Sequence, residues 1–294
     1  MKKLTKRRIT APLLSISPML MYLFLSLGLG IVIGIFLALT GKFDMSEDEL
    51  LSNPAVLLLD EAMLGVAAVL GCLFVRLRNK TKLKNAVGFR KFDISVPLML
   101  LIFGWSAGEL CDHFGGLILS QFMTVEPNRD IPAGWAGVVL AVICAPVFEE
   151  LIFRYCATEF PRGSYSVPVI CIANGIFFAS VHFYNVQGFL NVFIGGVAAA
   201  YVYCKTRNIL YTMLEHAIHN GLCYLPLDAV YYEKNGFVLS EWWWIALNAV
   251  LLAVTVVWYF RYFRKKYTEN YFVVNRETGL PEPEIVKPAA SETA

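Results

Sequence analysis

Long apolar runs alternate with short polar breaks along this chain, and the runs are too long for strands. A helix needs about 20 apolar residues to cross a bilayer. The pattern predicts eight such helices, over Ser17–Leu39, Ala55–Leu77, Ile94–Met123, Ala133–Phe160, Val167–Phe183, Phe189–Cys204, Ile209–Leu227 and Trp242–Phe260. Backbone groups in lipid must bond internally, and no run alternates as a barrel strand does. The expected fold is all-α: a polytopic transmembrane helical bundle of about eight helices. Residues 1–266 would form this single domain, and the polar, proline-containing stretch 267–294 a flexible cytoplasmic tail.

Composition agrees. The chain is 57% hydrophobic and 16% charged, with a mean hydropathy of +0.57. A soluble domain does not need so much apolar surface. The net charge of +2 matters less than its placement. Lys2, Lys3, Lys6, Arg7 and Arg8 precede the first run. Arg76 through Lys91 follow the second, Arg162 the fourth, Lys205 and Arg207 the sixth, and Arg261 to Lys266 the eighth. The loops between, such as FDMSEDELL and VEPNRD, are acidic or mixed. This bias predicts a multi-pass protein of the cell membrane with both termini cytoplasmic and Trp242–Trp244 at the outer interface. The first run is long enough to span and lacks an A-x-A-type site, so MKKLTKRR reads as the start of a span and not of a cleaved signal. The seven cysteines form no C-x-x-C and read as small buried hydrophobes. Membrane lipid is the expected surrounding, and no nucleic-acid partner is expected.

Ionisable side chains inside spans are functional candidates. They are Asp60 and Glu61 on the second run, Glu109, Asp112 and His113 on the third, and Glu149, Glu150 and Arg154 on the fourth. His182 lies on the fifth, and Glu215, His216, His219 and Asn220 on the seventh. All four histidines of the chain fall in spans. Glu150 and Arg154 are four apart and can pair on one helical face, which turns Glu149 about 100° away and leaves it for chemistry. Phe178 and His182 share a face, as do His216 and Asn220. A carboxylate, an imidazole, and an imidazole with a carboxamide could thus meet in one cavity. Together they suit water-activated amide hydrolysis: a base for the water, a group to orient it, and donors for the oxyanion. Depth opposes this, because on level helices Glu149 lies about 17 Å and His182 about 24 Å above their connecting turn.

Glu149-Glu150-Leu-Ile-Phe-Arg154 resembles the E-E-x-x-x-R motif of the CPBP intramembrane proteases, the CAAX prenyl endopeptidase or Abi family. Phe178-Ala-Ser-Val-His182 resembles its F-x-x-x-H, and His216-Ala-Ile-His-Asn220 its H-x-x-x-N. The resemblance covers roughly 138–225. It implies that Glu149 activates water, that His182 holds that water, that His216 and Asn220 form the oxyanion side, and that Glu150, Arg154 and Phe178 support them. It also implies a metallopeptidase, with Zn2+ or another divalent ion held among Glu149, His182 and His216. The same residues equally suit a metal-free glutamate mechanism. The implied substrate is a hydrophobic or lipidated peptide or protein. The alternative is a non-proteolytic membrane scaffold in bacteriocin immunity or signalling.

Other polar residues have plainer readings. His219 is turned about 60° from the His216 face and reads as packing. Glu109 and His113 could form an extra polar site, against simple helix packing. Asp60 and Glu61 are expected near the outer headgroups. Gly30 and Gly34 form a G-x-x-x-G that could pack a helix.

Overall fold

The computed structural model describes residues 2–40, 53–79, 82–87, 92–119, 121–122, 134–182, 186–225, 231–234, 237–240 and 242–268. The acidic loops FDMSEDELL and VEPNRD, and all of the tail beyond Thr268, lie outside these described residues. Eight long helical elements match the eight predicted runs. They are α1 (Lys2–Thr40), α2 (Pro54–Asn79), α3 (Ser95–Leu119), α4 (Gly134–Glu159), α5 (Val167–Val181), α6 (Val186–Thr206), α7 (Ile209–Leu222) and α8 (Trp242–Lys266). Among the described residues, five helices are long and apolar enough to cross a membrane: Ile9–Thr40, α2, α4, Gly188–Thr206 and α8. The bundle is all-α. A short antiparallel hairpin, β1 (Tyr231–Lys234) and β2 (Phe237–Ser240), joins α7 to α8 and pairs Tyr231 with Ser240.

Helix α1 begins well before the predicted Ser17, because its Lys/Arg-rich start favours helix as strongly as leucine does. Pro12 and Pro18 lie inside it. Pro18 has no N–H for the Leu14 carbonyl, and the Ser17 hydroxyl donates to that carbonyl instead, at 2.8 Å. Leu23, Phe24, Leu27, Ile31 and Phe36 are exposed along α1, as a lipid-facing surface requires. Gly30 and Gly34 meet nothing where a Cβ would stand, so no described residue packs on that face.

Helix α5 packs on α6 through Gly175 and Gly196. A Cβ on Gly175 would come within 2.4 Å of Val197 Cγ2, and one on Gly196 within 3.1 Å of Gly175 Cα. Such backbone proximity is how helices associate where lipid removes the hydrophobic drive. Met19, Leu64, Ala67, Ala68, Ile152, Phe153 and Phe178 form one core joining α1, α2, α4 and α5. Val75, Tyr155, Cys156, Phe160, Tyr203 and Ile209 form a second at the C-terminal ends of α2, α4 and α6.

Helix α4 is not a regular α-helix. It contains two π-turns, Leu140–Cys144 and Leu151–Cys156, on either side of Ala145–Glu150. In the first, the Ala145 N–H reaches back to the Leu140 carbonyl. The next N–H in that pattern would pair with Ala141, but residue 146 is proline and has none. The second π-turn ends where the Ala157 N–H bonds to Ile152.

Candidate functional site

The E-E-x-x-x-R stretch falls between and within the π-turns, where such insertions are frequent at functional sites. Glu149 Oε2 lies 3.3 Å from His182 Nε2. The offset of about 7 Å expected for level helices is therefore taken up by stagger and tilt. His182 ends α5, and its Nδ1 donates to the Phe178 carbonyl at 2.9 Å, an atom that can only accept. That bond fixes the ring and turns Nε2 toward the carboxylate. Glu149 Oε2 is buried and accepts no hydrogen bond from the described residues.

Glu150 is 1% exposed and meets a different set of partners. Its Oε2 sits 3.2 Å from Arg154 Nε, and its Oε1 3.2 Å from His216 Nδ1. Arg154 Nη1 donates to Asn174 Oδ1 at 3.1 Å, and its guanidinium stacks 4.2 Å above the Phe178 ring. Asn174 in turn donates to the Phe153 carbonyl in the second π-turn. Phe178 also touches the His182 ring at 4.4 Å and stands perpendicular to His216 at 6.1 Å. One aromatic ring thus lies between both histidines and the arginine.

Asn220 lies one turn from His216. Its Nδ2 donates to the Ala141 carbonyl at 2.7 Å. This is the carbonyl that Pro146 leaves unpaired, so α7 completes the backbone of α4. Carbonyls freed by proline inside a bilayer need such a donor.

A catalytic or structural zinc takes at least three protein ligands. Glu149 and His182 make a pair, and His216 turns Nδ1 to Glu150. Among the described residues, no group of three or more His, Cys, Asp and Glu side chains is arranged to hold a metal ion. The residues as placed do not fit a three-ligand metal centre.

The remaining sequence candidates lie elsewhere. His219 packs beside Trp105, ring centroids 5.8 Å apart. Glu109 accepts from Trp244 Nε1 at 2.9 Å, and His113 is 3% exposed against Phe114 and Trp242. Asp60 is tied to α1, accepting from Tyr22 at 2.7 Å and Ser26 at 2.6 Å. Glu61 has a buried Oε1 that accepts no hydrogen bond from the described residues. It stands one turn before Gly65, which abuts Phe148. Sequence reasoning did not include Asn174. The signal was present, since Asn174, Phe178 and His182 are spaced by four and share one face of α5.

Residues 131–222, which contain every residue of this cluster, match the family model for Rce1-like type II CAAX prenyl endopeptidases. No curated protein and no solved structure matches the chain. Over residues 131–222 the chain is therefore similar to the Rce1-like type II CAAX prenyl endopeptidases, and this stretch lies in a helical bundle in which, among the described residues, five helices are long and apolar enough to cross a membrane.

Proposed function

We propose that this chain is an intramembrane endopeptidase of the cell membrane. It hydrolyses a peptide bond in a membrane-associated or lipidated peptide or protein, using water activated by Glu149. The observation that carries this reading is the 3.3 Å approach of the under-bonded Glu149 Oε2 to an imidazole whose other nitrogen is already committed. With Nδ1–H given to Phe178, a neutral His182 offers only the Nε2 lone pair. A water donating one hydrogen to Nε2 and one to Glu149 is thereby oriented. Glu149 takes a proton from that water as its oxygen attacks the scissile carbonyl carbon. The same proton then passes to the leaving amine as the C–N bond breaks.

The oxyanion is stabilised from α7. His216 holds Nδ1 to Glu150, so a proton on Nε2 makes it a cationic donor. Asn220 gives one amide hydrogen to Ala141 and keeps a second for the oxyanion. Arg154 and Asn174 hold Glu150, and through it the His216 ring.

Mass spectrometry of peptide termini tests the reading without a known substrate. Host membranes carrying wild type are compared with membranes carrying Glu149→Gln. New termini that require Glu149 are expected. Identical termini, together with a phenotype seen only on full deletion, would overturn proteolysis in favour of a scaffold.

A further inference from the structure

Both π-turns of α4 redirect the same kind of bond. In a regular α-helix each N–H bonds to the carbonyl four residues back. At the first π-turn the Ala145 N–H reaches five back, to Leu140, and Ala141 loses its helical donor. At the second the Ala157 N–H reaches Ile152, and Phe153 loses its helical donor. An asparagine from a neighbouring helix takes each freed carbonyl: Asn220 of α7 donates to Ala141, and Asn174 of α5 to Phe153. Glu149 and Glu150 lie between these two clamps.

The second π-turn also sets a register. On α2, Gly65 and Cys72 are seven residues apart, two turns along one face. A Cβ on Gly65 would lie 3.0 Å from the Phe148 ring, and the Cys72 thiol is in hydrogen-bond contact with Cys156. A Cβ on the adjacent Gly71 would lie 3.1 Å from Cys156 Sγ. Phe148 and Cys156, however, are eight residues apart. Eight residues of regular α-helix would set them about 80° apart around the axis. The residue that the π-turn inserts between them removes this mismatch. Without it, Tyr155 would take the place of Cys156 against α2, and the part of α4 beyond the turn would rotate by about 100° relative to Glu149.

We propose that Asn174 is a positioning residue: by holding the Phe153 carbonyl it keeps the second π-turn in place, and so fixes the rotation of Glu149 relative to the Arg154 end of α4. Its Oδ1 also receives Arg154 Nη1 at 3.1 Å, so one amide holds both the backbone and the guanidinium that pairs with Glu150. When Asn174 is lost, the Ala157 N–H is the donor that can return to Phe153, and its return makes the helix regular. The part Asn174 plays in catalysis rests on the proteolytic reading; the register does not.

Thiol cross-linking reads the register without measuring proteolysis. One chain keeps only Cys72 and Cys156, the other five cysteines being replaced by alanine. A second carries Cys156→Ala and Tyr155→Cys as well. Each is made with Asn174, with Asn174→Leu, and with Asn174→Asp, which keeps an oxygen for Arg154 but cannot donate to Phe153 when ionised. Membranes are oxidised with copper phenanthroline, and unreduced digests are read by mass spectrometry. The linked fraction is a ratio, so lower abundance of a variant does not blur it. With Asn174, Cys72 is expected to join position 156 and not 155. In both variants linkage to 156 should fall several-fold and linkage to 155 should rise, and Glu149-dependent termini per inserted molecule should fall several-fold. Unchanged linkage in the two variants overturns the proposal. So does a shifted register with undiminished termini, which would leave Asn174 no part in positioning. A wild type with no Glu149-dependent termini but with the expected shift would lose the proteolytic reading and keep the register.

Discussion

Two glutamates on α4, ten residues apart, have opposite surroundings. Glu159 is saturated: Oε1 receives Tyr203 at 3.2 Å and Arg207 Nε at 3.0 Å, while Oε2 receives Arg162 at 2.9 Å and Arg207 Nη2 at 3.4 Å. Glu149 has a 3.3 Å imidazole neighbour and a buried Oε2 atom that accepts no hydrogen bond from the described residues. Glu159 is the more deeply buried of the two, at 1% exposure against 16% for the Glu149 side chain, so burial does not by itself mark a reactive carboxylate. The supply of donors does. A carboxylate whose lone pairs are all taken ties helices together, whereas one left short of donors can still take a proton from water.

Exchanging the roles of these residues should separate the two cases. The largest effect is expected for Glu149→Gln, which keeps the volume and removes the basicity. Turnover should fall about 10²–10⁴-fold while the amount of folded, inserted protein holds. Normal turnover by this variant would remove Glu149 from the chemistry. Glu159→Leu should do the reverse. It takes the shared carboxylate from the buried Arg162 and the partly buried Arg207, at a cost of about 3–5 kcal/mol, so abundance and thermal stability should drop while the molecules that remain folded keep their specific activity. Arg154 lies between these cases, and Arg154→Ala is expected to lower both abundance and activity because it leaves Glu150 buried without its guanidinium and unsettles the His216 contact.

A smaller effect is expected for Asn174→Ala. It leaves the Phe153 carbonyl and one Arg154 N–H without their partner, at about 1–3 kcal/mol, measurable as a shift in the denaturation midpoint. The smallest is a response to acid outside the membrane. Burial opposes ionisation of Asp93, but hydrogen bonds from Lys266, Ser95 and Tyr262 outweigh it and bring its carboxyl down to about 2, from an ordinary 3.8. Because the folded value is the lower one, this contact stabilises the chain fully above the ordinary value and is lost as pH falls toward the folded one. Protease sensitivity just after Lys266 should rise across that interval, and Asp93→Asn should be sensitive throughout.

The sequence predicted the eight helices because bilayer thickness demands runs of one length, and it predicted the Glu150–Arg154 pair because spacing of four is local. The meeting of Glu149 with His182 was harder to read, since it depends on how α4 and α5 stagger against each other, which residue spacing within one helix does not encode. The π-turns were not predicted. Pro146 announces a broken hydrogen bond, yet whether the helix kinks, ends or bulges depends on a donor that arrives from α7. Asn174 was overlooked although its spacing placed it with Phe178, because a lone amide in an apolar helix has many packing roles. The β-hairpin lies between the last two helices, where the eye for long apolar runs sees only a connection.

The proline in α4 also has a consequence in time. Its missing donor is replaced by Asn220, 79 residues further along the chain. At synthesis rates of about 5–20 residues per second, α4 is made about 4–16 s before the side chain that completes it. During that interval the Ala141 carbonyl has no partner from α7, in a medium where an unpaired carbonyl costs several kcal/mol. The helix that carries the site is therefore born unfinished, and the arrival of α7 is the event that sets its shape.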